Sequence, residues 1–297
     1  MRKASKSVRV DDIEIACTTL GEGDPVIVLH GAIGLGSTYM RALDPWADEL
    51  SLIYYDQRGS GETPLGDVQR VSFEGGVEDL DGLRRGLGLD RVQLLGHSAG
   101  AYLAALYAAA HPENTSSIVL LHPGPPLAPE LMQRFGKEMA ARRTQADNDA
   151  KREIEESEAY RLLEPLALER HQLNTFLPFF RDRATVERTS LGFTAITAAN
   201  VQQGPKRMVG SLGALDPMQR FTRINCPTLV IHAELDPIPA EWSRLLADTI
   251  PGADFAVIEG GSHFSMIEDA GKLESTVVPW LRSHGVARSS SGRVAAG

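Results

Sequence analysis

The chain has 297 residues, 42% of them apolar, with a formal net charge of −9 and only two cysteines, Cys17 and Cys226. That length holds one large α/β domain or two small ones, and the acidic balance argues against nucleic acid or an anionic membrane surface as a partner. Two cysteines make neither a disulfide framework nor a metal set, so no metal or cofactor is expected.

No apolar run reaches membrane-spanning length. The basic residues 1–10 lack the apolar segment of a signal peptide, so a reduced, cytoplasmic setting is expected. From Val8 to Ala16 apolar residues alternate around Asp11-Asp12, the pattern of a hairpin with one buried face. Pro25–Leu29 is a continuous apolar run, as expected of a central strand covered on both sides, and it ends in His30-Gly31-Ala32-Ile33-Gly34. Leu50–Tyr55 is the next strand, ending in Asp56-Gln57-Arg58-Gly59-Ser60-Gly61. Val77, Leu80, Leu83 and Leu87 fall at helical spacing.

Then comes the pentapeptide Gly96-His97-Ser98-Ala99-Gly100. An apolar run of strand length, Arg91–Leu95, precedes it. A stretch rich in Ala and Leu, Ala101–Ala110, follows and stops at His111-Pro112. A serine on so sharp a strand-to-helix turn stands clear of the sheet, at a helix N-terminus that favours negative charge. Ser98 is therefore the candidate nucleophile.

Ser117–Leu121 is another buried strand. From residue 127 to 217 charge density rises and helical patterns dominate, with Glu138–Arg170 reading as helix interrupted at Pro165. This stretch is expected to be a helical cap inserted between core segments 1–126 and 218–285. Its Phe176, Phe179, Phe180 and Phe193 suit an apolar pocket wall. Its Glu153, Glu155, Glu156 and Glu158 suit a solvated helix face. The core resumes with the strand Pro227–Ile231, the helix Trp242–Ile250, the strand Phe255–Ile258 and the helix Leu273–Ser283. Residues 286–297 read as a disordered tail. Strands alternating with helices predict an α/β fold with a mostly parallel sheet covered on both faces.

A serine hydroxyl needs a base, and the base needs an orienting acid. Of eight histidines, only His263 stands in a Gly-rich loop directly after the last strand. In the chain order serine, acid, histidine, Asp236 follows the strand after the cap, with Glu234 as the alternative. The oxyanion donors expected are the N–H groups of Ala99 and Ala32, with Ile33 as runner-up for the second.

With these residues in place the chain resembles the α/β-hydrolase superfamily, including its helical cap. The match rests on His30-Gly31, the Asp56–Gly61 segment, the Ser98 elbow, Asp236 and His263. The Asp-Gln-Arg-Gly-x-Gly segment and the helix before the elbow strand are similar to the proline iminopeptidase branch. That branch usually shows His-Gly-Gly-Pro-Gly and Gly-Gly-Ser-Trp-Gly, where this chain has Ala32-Ile33 and His97 and Ala99. The resemblance implies an α/β-hydrolase fold and a serine hydrolase of a small ester, lactone or amide acting through an acyl-enzyme. An iminopeptidase-like aminopeptidase is the alternative. A non-hydrolytic binding protein, lyase or cyclase on the same scaffold is the reading from another class.

Overall fold

The computed structural model describes residues 3–31, 35–200 and 204–285. The alternating N-terminal segment folds as a hairpin of β1 (Lys3–Val10) and β2 (Ile13–Leu20), turning at Asp11-Asp12. Next come β3 (Pro25–Leu29), β4 (Ser51–Tyr55), α1 (Phe73–Gly86), β5 (Val92–His97), α2 (Ala99–Ala110) and β6 (Thr115–Leu121). Ser72 caps α1 by accepting from the Gly75 N–H, which starts the helix four residues before its first predicted apolar position. A 3-10 helix, Ser37–Asp48, lies between β3 and β4 and has no counterpart in the sequence reading.

Between β6 and β7 (Thr228–Ala233) the described chain is helical: α3 (Pro129–Ala141), α4 (Gln145–Glu156), α5 (Glu158–Arg161), α6 (Pro165–Phe176), α7 (Arg183–Arg188), α8 (Ala195–Asn200), α9 (Gly204–Ala214) and α10 (Pro217–Phe221). The long helix expected over 138–170 is four shorter ones. Thr144 and Asp147 form a reciprocal capping box that starts α4, and the Ser157 side chain caps α5. Pro165 begins α6 instead of breaking a helix, because a first-turn proline forfeits no hydrogen bond. The core closes with α11 (Ala240–Thr249), β8 (Asp254–Ile258), α12 (Ser265–Glu268) and α13 (Ala270–Ser283).

The eight strands form one sheet in the order β1-β2-β4-β3-β5-β6-β7-β8. β3 to β8 pair in parallel, and among the described strands only β2 is reversed, pairing antiparallel with β1 on one side and β4 on the other. One apolar cluster packs α1, α2 and α11 on one face, and a second packs the 3-10 helix and α13 on the other. Cover on both faces explains why β3 reads as an unbroken apolar run and why β5 and β6 are fully buried. None of the described helices is long and apolar enough to cross a membrane. The predicted tail from residue 286 lies outside the described residues.

Candidate active site

The parallel order brings the C-terminal ends of β3, β5, β6 and β7 to one edge, the place where such sheets bind ligands. At the end of β5 the chain turns through Ser98, whose φ of 55° and ψ of −119° are strained for a residue with a side chain. The turn closes only because both flanking positions are glycine. A Cβ on Gly96 would sit 2.2 Å from the Gly100 carbonyl oxygen, and one on Gly100 would sit 2.4 Å from the His30 carbonyl oxygen. Ala99 is the first residue of α2 and lines the same cavity as Ser98, so its N–H belongs to the first turn, where donors have no intrahelical acceptor. Ala32 and Ile33, the expected source of a second oxyanion donor, lie outside the described residues.

His263 follows β8 and Asp236 follows β7. The His263 Nδ1–H donates to Asp236 Oδ2 at 2.6 Å, and both side chains are buried. The second oxygen, Asp236 Oδ1, accepts the Ile238 N–H at 2.9 Å. Because a carboxylate only accepts, Nδ1 carries the ring proton and Nε2 keeps its lone pair. Glu234, the alternative acid, is exposed and accepts the Gly260 N–H at 2.7 Å instead. Ser98 and His263 line one cavity, yet among the described residues no hydrogen bond joins Ser98 Oγ to the imidazole. Such contacts are often long in unliganded enzymes and tighten around substrate.

The cavity measures about 500 Å³. Its described lining holds no Asp, Glu, Lys or Arg; the polar groups are Tyr39, Gln57, His97, Ser98, Tyr102 and His263. No Asp or Glu side chain falls among the undescribed residues. Phe176 and Phe179 line it, and the Phe179 ring packs against His263 with centroids 4.5 Å apart. Phe180 is not on the described wall; it stacks on Phe264 at 4.3 Å and 9°. Phe193 packs against the core on the α13 side, also away from the cavity. Aromatic type marks a residue for burial but does not say in which cluster, which is why these two depart from the expected wall.

The helical segment adds wall residues that the sequence reading did not name, among them Met132 and Phe135 on α3, and Met208 and Leu212 on α9. The i, i+3 and i, i+4 spacings of these pairs were the available signal. The glutamates of α4 and α5 are exposed, and Glu155 accepts from His171 Nε2 at 2.9 Å.

Burial pushes the histidines around this edge down from their ordinary range. His97 and His122 lie well below it, burial being the main cause and the neighbouring His263 the next. His30 is lowered by burial against the pull of Asp56. All three are neutral at physiological pH. Among the described residues no group of three or more His, Cys, Asp or Glu could hold a metal ion.

Residues 24–270 match the family model described as the alpha/beta hydrolase fold. A proline iminopeptidase of Heyndrickxia coagulans is 27% identical over 273 residues, covering 89% of this chain and 92% of the relative. Among solved structures, a proline iminopeptidase of Mycobacterium smegmatis superposes with a TM-score of 0.69 at 23% identity, covering 95% of this chain and 98% of that one. A thermophilic esterase of Thermogutta terrifontis superposes with a TM-score of 0.65 at 24% identity, covering 96% and 100%. At such identity the two structures speak for the fold alone. With a family match spanning most of its length, the sheet order and the strained serine turn, the chain belongs to the α/β-hydrolase fold family, near its proline iminopeptidase branch.

Proposed function

We propose that the protein is a serine hydrolase of uncharged esters or lactones with an apolar acyl group. The observation that carries this reading is the cavity beside Ser98, which has aromatic and aliphatic walls and no carboxylate. An aminopeptidase must hold a substrate ammonium, and burying that charge unpaired is costly. The cavity reaches the half-exposed Met132 and the exposed Val209, so a chain longer than the cavity leaves between α3 and α9 over apolar surface.

In this reading Ser98 Oγ attacks the acyl carbon as its proton passes to His263 Nε2. Asp236 holds the Nδ1–H tautomer and steadies the imidazolium. The developing oxyanion meets the Ala99 N–H, and the second donor expected from the sequence is the Ala32 N–H, with Ile33 as runner-up. Nε2 returns the proton to the leaving alkoxide, and water then attacks the acyl-enzyme by the same route. The helical segment over residues 127–217 acts as the cap that keeps water out. A small-molecule substrate, and neither nucleic acid nor membrane, fits the acidic surface charge.

The test is a panel of p-nitrophenyl esters against proline p-nitroanilide, with a fluorophosphonate probe for Ser98. The reading expects probe labelling lost in Ser98→Ala, and ester turnover that rises with acyl length by roughly fourfold per added methylene until the cavity is filled. A clear preference for proline p-nitroanilide would instead restore the iminopeptidase reading, which sequence similarity along most of the chain favours. Labelling of Ser98 without turnover of either class would favour a non-hydrolytic role.

A further inference from the structure

Gly31, Tyr39, His97 and His263 come from four different elements and loops, and their polar groups meet beside Ser98. The Gly31 N–H donates to Tyr39 Oη at 2.6 Å. Tyr39 Oη lies 2.9 Å from His97 Nδ1. His97 Nε2 lies 2.9 Å from the backbone carbonyl oxygen of His263. The direction of this chain is fixed by elementary donor rules. A carbonyl can only accept, so His97 Nε2 carries the ring proton. In the neutral ring Nδ1 is then an acceptor, so the Tyr39 hydroxyl donates to it. That leaves the Tyr39 lone pairs for the Gly31 N–H.

The three anchors are all parts of the reacting machinery. Gly31 begins the loop that is to supply an oxyanion donor, His97 immediately precedes the nucleophile, and His263 is the base. The fit at Gly31 is close: a Cβ there would meet Tyr39 Oη at 3.1 Å, Ser98 Cβ at 3.3 Å and His97 Nδ1 at 3.5 Å. Both links are buried, Tyr39 at 4% exposure and His97 at 1%. Neutral His97 suits the chemistry as well as the geometry. Its ring centroid is 4.7 Å from that of His263, and a second positive charge there would oppose the imidazolium that forms as Ser98 attacks.

We propose that Tyr39 and His97 are positioning residues of the hydrolytic site, joined in one directed relay that holds the loop after β3, the Ser98 elbow and the His263 loop in register. The assignment rests on the reading of Ser98 as nucleophile and His263 as base. It gives His97 a role that the triad leaves unused.

The test removes the relay while leaving the cavity wall almost unchanged. Tyr39→Phe deletes only Oη. With p-nitrophenyl butanoate it is expected to lower kcat by about tenfold to hundredfold, the effect of a small misplacement of reacting groups, with KM within about twofold. Binding of a boronic acid, which mimics the tetrahedral state, weakens by the same factor. Inhibition by the product butanoate does not change. His97→Gln keeps one acceptor and one donor and retains most of the rate, whereas His97→Phe keeps the bulk and loses it.

A purely structural role would lower the melting temperature and weaken boronate and butanoate alike. That outcome, or a Tyr39→Phe enzyme with wild-type kcat, overturns the relay. If His97→Phe fails to fold, Tyr39→Phe and His97→Gln still decide the matter. Fluorophosphonate labelling separates the two layers. A wild-type protein that does not label at Ser98 sinks the underlying hydrolase reading. Normal wild-type labelling with an indifferent Tyr39→Phe sinks the relay alone.

Discussion

Asp236→Asn tests the triad with almost no change of shape. The carboxylate has two seats: Oδ1 receives the Ile238 N–H at 2.9 Å and Oδ2 receives His263 Nδ1–H at 2.6 Å. An asparagine must place its oxygen in one seat and its NH2 in the other. Putting the NH2 toward Ile238 would orphan a buried backbone donor, at a cost of about 1–3 kcal/mol. The amide oxygen therefore stays with Ile238, and Nδ2 faces the imidazole. Two donors cannot share that position, so the ring proton moves to Nε2 and Nδ1 becomes the acceptor. Nε2 then has no lone pair for the Ser98 proton. The expected loss in kcat is on the order of 10⁴, the size of the same exchange in a serine protease triad, or about 5 kcal/mol of transition-state stabilisation. Steady-state turnover of p-nitrophenyl butanoate reads it, with a thermal melt to show that the fold persists. An Asp236→Asn enzyme within about tenfold of wild type, or one whose loss lies in KM alone, would refute the assignment.

Acid should destabilise the fold through its buried histidines. His30, His97, His122 and His232 are all depressed by burial, so their contribution is present above the unfolded value of about 6.5 and is lost as pH falls below it. Melts at pH 7.5 and pH 5 should differ by several degrees, and a flat profile between them would contradict the neutral cluster. Arg58→Leu should cost about 3–5 kcal/mol, because it removes two bonds of 2.8 Å from the buried Asp79 carboxylate and leaves it only the 3.4 Å contact from Arg70 Nη2; an unchanged melting temperature would argue against that pairing. Neutralising Glu155 and Glu156 together should change kcat/KM by less than about threefold, since both are exposed on α4 and away from the cavity; a larger loss would reopen the amine-binding reading.

The sheet was legible because buried parallel strands carry short apolar runs, and β3, β5, β6 and β7 fall within about two residues of their predicted bounds. The serine turn was legible for a different reason: its steric demand writes glycine on both sides. The helical segment was read less well. Thr144-x-x-Asp147 is a visible capping signature, but the charged stretch around it looks continuous when read for periodicity alone. The 3-10 helix over Ser37–Asp48 carries Pro45 inside it, which reads as a helix breaker, although its buried Tyr39, Met40, Leu43, Trp46 and Ala47 fall at helical spacing and were an available signal. Missing that element meant missing Tyr39. The contacts from Tyr39 to His97 and from His97 to His263 span 58 and 166 residues, and no local pattern reports pairs so distant.

The segment most similar to the iminopeptidase branch explains how that likeness can coexist with a cavity free of carboxylates. Asp56 does not point its charge at a substrate: its two oxygens accept the Ser37 and Glu62 N–H groups. Gln57 is pinned to His30 twice, giving its backbone N–H to Nε2 at 3.0 Å and its side-chain amide to the carbonyl at 2.8 Å. Arg58 ties α1 to the hairpin turn through Asp79 and Asp12. The Gly61 N–H donates to Thr197 Oγ1 on α8, and Gly61 itself has a φ of 51°. Apart from Gln57, which also touches the cavity, these residues act as a clamp beneath the loop after β3 and the helical segment. A clamp of this kind is needed whatever acyl compound reaches Ser98. Its presence therefore speaks for the scaffold, while in the proposed reading the choice of substrate falls to the side chains of α3, α6 and α9 that line the cavity beside the serine. In this chain those are Met132, Phe135, Phe176, Met208 and Leu212, and none of them can hold an ammonium ion by charge.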